Sequence, residues 1–116
     1  MERSISEINP IQIVNRTGAG RRDKFESSPV TFGRDASSQI VLTGEFVSRS
    51  HGELRFVKGC WRLIPLSSNG AELNGKRVGT KGRDLRDMDI VSIGGEAAFQ
   101  VRFDLATPVD PVAEST

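Results

Sequence analysis

The sequence predicts an all-β domain, a two-sheet antiparallel β-sandwich or a small barrel, and three observations carry that expectation. No stretch of the 116 residues sustains a helical period. Apolar residues come instead in short β-branched and aromatic runs, such as Ile11-Gln12-Ile13-Val14 and Ile90-Val91-Ser92-Ile93. The runs are separated by turn pairs, among them Lys58-Gly59, Asn74-Gly75 and Gly94-Gly95.

Met1 to Pro10 is mixed and polar and reads as a lead-in. Ile11 to Val14 is a first strand, and Asn15 to Asp23, with two glycines and Arg21-Arg22, a flexible loop. Lys24 to Ser28 is a short strand. Val30-Thr31-Phe32 is a strand that stops at Gly33, and Asp35 to Ser38 is a turn. Ile40-Val41-Leu42 is a short buried strand. Glu53 to Phe56 alternates polar and apolar, the mark of a half-buried strand, and turns at Lys58-Gly59 into Cys60 to Ile64. That hairpin points Leu54, Phe56, Trp61 and Leu63 into one core, and Pro65 ends it. Ala71-Glu72-Leu73 and the segment at Val78 flank Asn74-Gly75, a hairpin signal because both turn residues tolerate φ > 0. Ile90 to Ile93 and Ala98 to Phe103 close the domain across Gly94-Gly95. The tail, 105–116, lacks periodicity and reads as disordered or as a linker.

The length suits one domain, which buries roughly two thirds of its unfolded surface without a disulfide or metal. Hydrophobic residues make up 36% and charged residues 27%, as in an ordinary globular protein. A net charge of +1 argues against bulk polyanion binding, so an anion site must be built locally. The lone Cys60 excludes an internal disulfide and favours a reducing, cytoplasmic setting. Beside Trp61 in a strand, it reads as a small core residue. No apolar run reaches membrane-span length and no signal-peptide core opens the chain.

The stretch Val47-Ser48-Arg49-Ser50-His51-Gly52 packs two hydroxyls, a cation and the only histidine between two strands, where scaffold-held loops place binding sites. Gly33-Arg34 upstream and Ser67-Ser68-Asn69-Gly70 downstream echo it. Arg34 offers a planar fork for two phosphate oxygens, Ser48 and Ser68 a hydroxyl each, and Arg49 a second cation. The Asn69 amide suits a peptide backbone. Taken one at a time these residues have plainer readings: a solvated Arg34, a turn-forming Ser48, a core His51 tying two loops, a simple turn at Asn69-Gly70. A hydrolase built on Ser48 and His51 lacks a glycine-flanked nucleophile and an acid to orient the imidazole. Metal-ligand spacing, a phosphate-cradling loop before a helix, and a basic aromatic surface for nucleic acid are all missing from the sequence.

In order, Gly33-Arg34, Ser48-Arg49-Ser50-His51, Ser68-Asn69-Gly70 and Leu73-Asn74-Gly75 resemble the forkhead-associated (FHA) domain. Ile40 to Leu42 and Leu85 to Ile93 fit as well, so the resemblance covers most of the chain, with the domain at 11–104. It implies a two-sheet β-sandwich of the FHA/SMAD type that binds phosphothreonine peptides through loops at one end, in kinase-linked signalling, without a cofactor and without catalysis. Arg34 and Ser48 would hold the phosphate, assisted by Arg49 and Ser68, and Asn69 would bond the ligand backbone. Gly33, His51 and Gly70 would shape the loops. Phe46 lies where the family reads the third residue after the phosphothreonine, and there it favours an aliphatic side chain. A variant of the family keeps the fold without phosphate dependence, and that is the alternative. The expected partners are threonine-phosphorylated proteins, not nucleic acid or membrane. A monomer is expected, with phosphorylation-dependent self-association through Thr107 as a minor route. One departure stands out: Met88 precedes Asp89 where the family usually has glycine.

Overall fold

The structure, a computed structural model, describes residues 8–16 and 21–103. Thr107 and the expected tail lie outside those residues. Eleven strands run in chain order: β1 (Ile11–Asn15), β2 (Arg22–Phe25), β3 (Val30–Gly33), β4 (Ile40–Val41), β5 (Gly52–Val57), β6 (Cys60–Pro65), β7 (Ala71–Leu73), β8 (Lys76–Val78), β9 (Arg83–Asp84), β10 (Ile90–Ile93) and β11 (Glu96–Phe103). They form a six-stranded sheet ordered β2-β1-β11-β10-β7-β8 and a five-stranded sheet ordered β4-β3-β5-β6-β9. No α-helix occurs among the described residues.

Period-two patterning builds the core. Ile11, Ile13, Val91, Phe99 and Val101 face inward from the first sheet, and Val30, Phe32, Leu54, Trp61 and Leu63 from the second, all buried. Each such side chain contributes about 1.5–3 kcal/mol by leaving water. Phe32 meets Phe99 edge-on, ring centroids 5.3 Å apart, joining the two layers. In the β5–β6 hairpin Leu54 pairs with Leu63 and Phe56 with Trp61, as the alternation predicts. β1 and β11 are antiparallel, with Ile11 opposite Phe103, so the chain enters and leaves the sandwich at one place.

Several elements depart from the sequence reading. β4 lies parallel to β3, Phe32 beside Ile40, whereas an all-antiparallel arrangement was expected. The turn at Asp35 sends the chain round, and Gln39 then clamps onto Thr31. The Thr31 N–H donates to Gln39 Oε1 (3.2 Å) and the Gln39 N–H to Thr31 Oγ1 (3.1 Å). Cys60 is exposed rather than in the core, because the register that turns Trp61 inward turns its neighbour outward. β2 begins at Arg22, earlier than expected, and β9 had no sequence signal beyond its length of two residues. Ile8 and Asn9, placed in the lead-in, dock on the domain: Ile8 packs against the core and the Asn9 carbonyl accepts a bond from Trp61 Nε1 (2.8 Å).

Met88, the departure noted above, adopts the left-handed backbone itself, with φ 77°. The turn is held by Asp89, whose carboxylate accepts from Asn74 Nδ2 and from the Arg86 N–H, both at 2.8 Å. Met88 is half exposed, and the one side-chain bond it makes, a long one from Gln100 Nε2 to its sulfur at 4.0 Å, offsets little of the steric cost of that backbone. Met88→Gly is therefore expected to stabilise the domain by roughly 0.5–1 kcal/mol, after the added freedom of the unfolded glycine is subtracted. Urea denaturation measures it, and an unchanged or lower midpoint would show that the turn bears no strain.

Candidate functional site

Four connections gather at one end of the sandwich: residues 34–39, 42–51, 66–70 and the β10–β11 turn at Gly94-Gly95. Gly33 sets the first contact. A Cβ there would lie 2.0 Å from the Arg49 carbonyl oxygen, so only glycine lets the 42–51 loop press against the end of β3. The contact is stitched by backbone bonds, Arg34 N–H to the Ser48 carbonyl (2.9 Å) and Asp35 N–H to the Arg49 carbonyl (3.2 Å). Arg34 and Ser48, 14 positions apart in the chain, become neighbours through main-chain bonding.

His51 ties that pair to the third loop. It is fully buried. Its Nδ1 accepts the Ser48 backbone N–H at 2.9 Å, which fixes the tautomer with the proton on Nε2, and Nε2 donates to the Gly70 carbonyl at 2.7 Å. The backbone of His51 adds three bonds: its N–H donates to the Phe32 carbonyl, and its carbonyl accepts from the N–H groups of Leu66 and Ser67. Both imidazole nitrogens are committed to main-chain groups, so neither is available to take a proton from Ser48 Oγ. The hydrolase alternative loses its base.

Ser48 Oγ instead meets Ser67 Oγ at 2.6 Å. Ser67 Oγ also accepts the Asn69 N–H at 3.1 Å. When two hydroxyls share one bond, one proton is left over. With Ser67 donating, the Ser48 hydroxyl keeps its own O–H for a ligand. Ser67 is a positioning residue that sequence reasoning missed. Two adjacent serines in an irregular loop carry no periodic signal to show which turns inward, and Ser68, the one chosen, is exposed with no hydrogen bond to the site.

The side chains of Arg34 and Arg49 are also exposed, and neither forms an ion pair with a described residue. Beside them, hydrogen bonds from the Ser37 backbone and hydroxyl, together with the charge of Arg49, hold the Asp35 carboxyl below its usual pKa. Asn69 spends its Nδ2 on the Phe46 carbonyl at 2.9 Å, which leaves its side-chain oxygen as acceptor for an incoming N–H. Phe46 is half exposed, rests against Gly94, and borders a cleft of about 210 Å³ lined also by Val47, Ile93 and Ala97. The structure thus brings Arg34, Ser48, Arg49 and Asn69 to one end with Phe46 at the side. No group of metal-ligating residues occurs among the described residues.

The family model for the FHA domain matches residues 30–94, more than half of the chain. A search of curated proteins returned no match. Solved structures align closely. The Mycobacterium tuberculosis Rv1747 FHA-1 domain superposes with a TM-score of 0.72 at 27% identity, over 83% of this chain and 97% of its own. A domain from a structural study of phosphothreonine-dependent FHA interactions gives 0.71 at 27% identity, over 86% and 99%. The N-terminal FHA domain of S. cerevisiae Rad53p, in complex with a phosphothreonine peptide, gives 0.73 at 18% identity, over 81% and 93%, a likeness of fold.

The geometry assigns His51 to the scaffold. His51→Ala strands the buried Gly70 carbonyl, costing about 1–3 kcal/mol, and the partly buried Ser48 N–H, costing about 1 kcal/mol because water reaches it in part, so a stability loss of about 2–4 kcal/mol is expected. Chemical denaturation reads it. A variant as stable as the parent would mean the two loops hold together without the imidazole.

Proposed function

The chain belongs to the FHA domain family, and from that premise we propose that it is a phosphothreonine-recognition module in kinase-linked signalling. One observation carries the reading: two exposed arginines outside any ion pair with a described residue, Arg34 and Arg49, sit next in the backbone to Ser48, Arg34 through a main-chain bond and Arg49 through the chain, and the Ser48 backbone is fixed by a buried histidine. A phosphate dianion needs preorganised charge and donors, and this end supplies both. The similar domain studied for phosphothreonine-dependent FHA interactions supports it from the side of the family.

In this reading Arg34 grips the phosphate bidentately, Ser48 donates its free O–H, and Arg49 and Ser68 assist from the rim. The Asn69 oxygen accepts a ligand backbone N–H. Gly33, His51 and Gly70 shape the loops, and Phe46, with the cleft beside it, receives the third residue after the phosphothreonine. Catalysis has no part in it. The exposed, unpaired Cys60 supports a cytoplasmic setting.

Arg34→Ala is expected to weaken binding of a phosphothreonine peptide by about 2–5 kcal/mol in calorimetry, with an unchanged melting temperature, since its side chain is exposed. Equal affinity of parent and variant would remove Arg34 from the site. Affinity should also fall as pH drops through about 6, where the ligand's dianion becomes a monoanion while the arginines stay charged. A flat profile across that range, or equal binding of the unphosphorylated peptide, would favour an FHA-fold interaction domain without phosphate dependence.

A further inference from the structure

We infer that Arg77 is a specificity-determining residue, one that selects an acidic side chain flanking the phosphothreonine. The inference rests on the phosphopeptide reading above and adds a contact to it. Arg77 lies on β8 opposite Glu72 of β7. Ala71 and Leu73 face the core, so Glu72 and Arg77 lie on the outer face of the sheet. From there the arginine reaches along the strand to Gly70. A Cβ on Gly70 would lie 2.7 Å from Arg77 Nη2, 2.9 Å from Cζ and 3.2 Å from Nη1. All three atoms belong to the guanidinium, which therefore occupies the space a side chain at Gly70 would need. Any side chain at position 70 would displace it. Gly70 therefore has two reasons to be glycine: its φ of +75° and the cation seated on it.

Gly70 follows Asn69, the residue aimed at the ligand backbone, so a peptide held by Asn69 passes the Arg77 guanidinium within a residue or two of the phosphate. The cation is unspent. The described ion pairs engage Arg21, Lys24, Arg55, Arg62 and Arg102, and Arg77 has none. Its cross-strand neighbour Glu72 turns its carboxylate instead to the Gly95 N–H, at 3.4 Å. A seated guanidinium with its N–H edge free suits a carboxylate or a second phosphate, because the fork is already oriented before the ligand arrives.

Fluorescence anisotropy tests this with phosphothreonine peptides in an alanine background, each flanking place replaced in turn by aspartate or by phosphoserine. One flanking place is expected to tighten binding roughly two- to fivefold on acquiring aspartate, the scale of an exposed ion pair. Arg77→Leu should abolish that gain, so that the aspartate and all-alanine phosphopeptides bind the variant alike, and Arg77→Lys should restore part of it. A larger gain with phosphoserine than with aspartate would mark a second phosphorylated residue as the ligand, and equal gains a carboxylate. If the peptides bind but show no acidic preference, or if Arg77→Leu keeps that preference, the assignment of Arg77 falls alone. If no phosphothreonine peptide binds the parent protein, the phosphopeptide reading falls and this one with it.

Discussion

The binding end depends on one buried imidazole. His51 accepts a hydrogen bond from the Ser48 N–H and donates one to the Gly70 carbonyl. Neither loop has a strand partner at that point, and each would otherwise present an unsatisfied polar group to a dry interior. A lysine could not serve both, because it has no acceptor, whereas the neutral imidazole holds one acceptor and one donor on opposite sides of a small rigid ring. The ring is itself wedged against Phe32, centroids 6.0 Å apart, so the orientation of the site traces back to the core. The division of labour is physical: uncharged groups inside fix geometry, and charged groups outside remain available.

That division explains the state of the surface groups. Arg55, Arg62 and Arg102 sit against carboxylates on the sheet faces, where such exposed pairs add little stability. Arg34 and Arg49 do not. Asp35 feels the charge of Arg49 but forms no ion pair with it, and one of its carboxylate oxygens accepts the Ser37 N–H. On the proposed reading, an arginine already paired would have to break that pair before gripping a phosphate, an exchange that Arg34 and Arg49 do not face. The shared bond between Ser48 and Ser67 works the same way, since it orients a hydroxyl and leaves a proton over.

Most of the architecture was legible in the sequence because period-two burial and positive-φ turns are local signals. The hairpins at Lys58-Gly59 and Asn74-Gly75 fall where their turn residues put them, with positive φ at all four positions. What was illegible depends on contacts distant in sequence. The parallel β3–β4 pair follows from Gln39 reaching back to Thr31, which no pattern announces. Cys60 was misplaced because its residue type outweighed the alternation that had already turned Trp61 inward. Arg34, Ser48 and Asn69 were legible as a set through their order, whereas Ser67 and Arg77 were hidden. The first lies beside an equally plausible serine, and the second reaches the site along a strand face seven residues away.

The pairing of Ile11 with Phe103 has a consequence for how such a domain is carried. The first and last strands are hydrogen-bonded neighbours, and their outer ends lie at the pole away from the Gly94-Gly95 turn. Any polypeptide preceding β1 and any following β11 therefore attach at a single anchorage, like both ends of a cord knotted to one ring. The end that carries Arg34, Ser48 and Asn69 thus faces away from the place where the two outer strand ends meet.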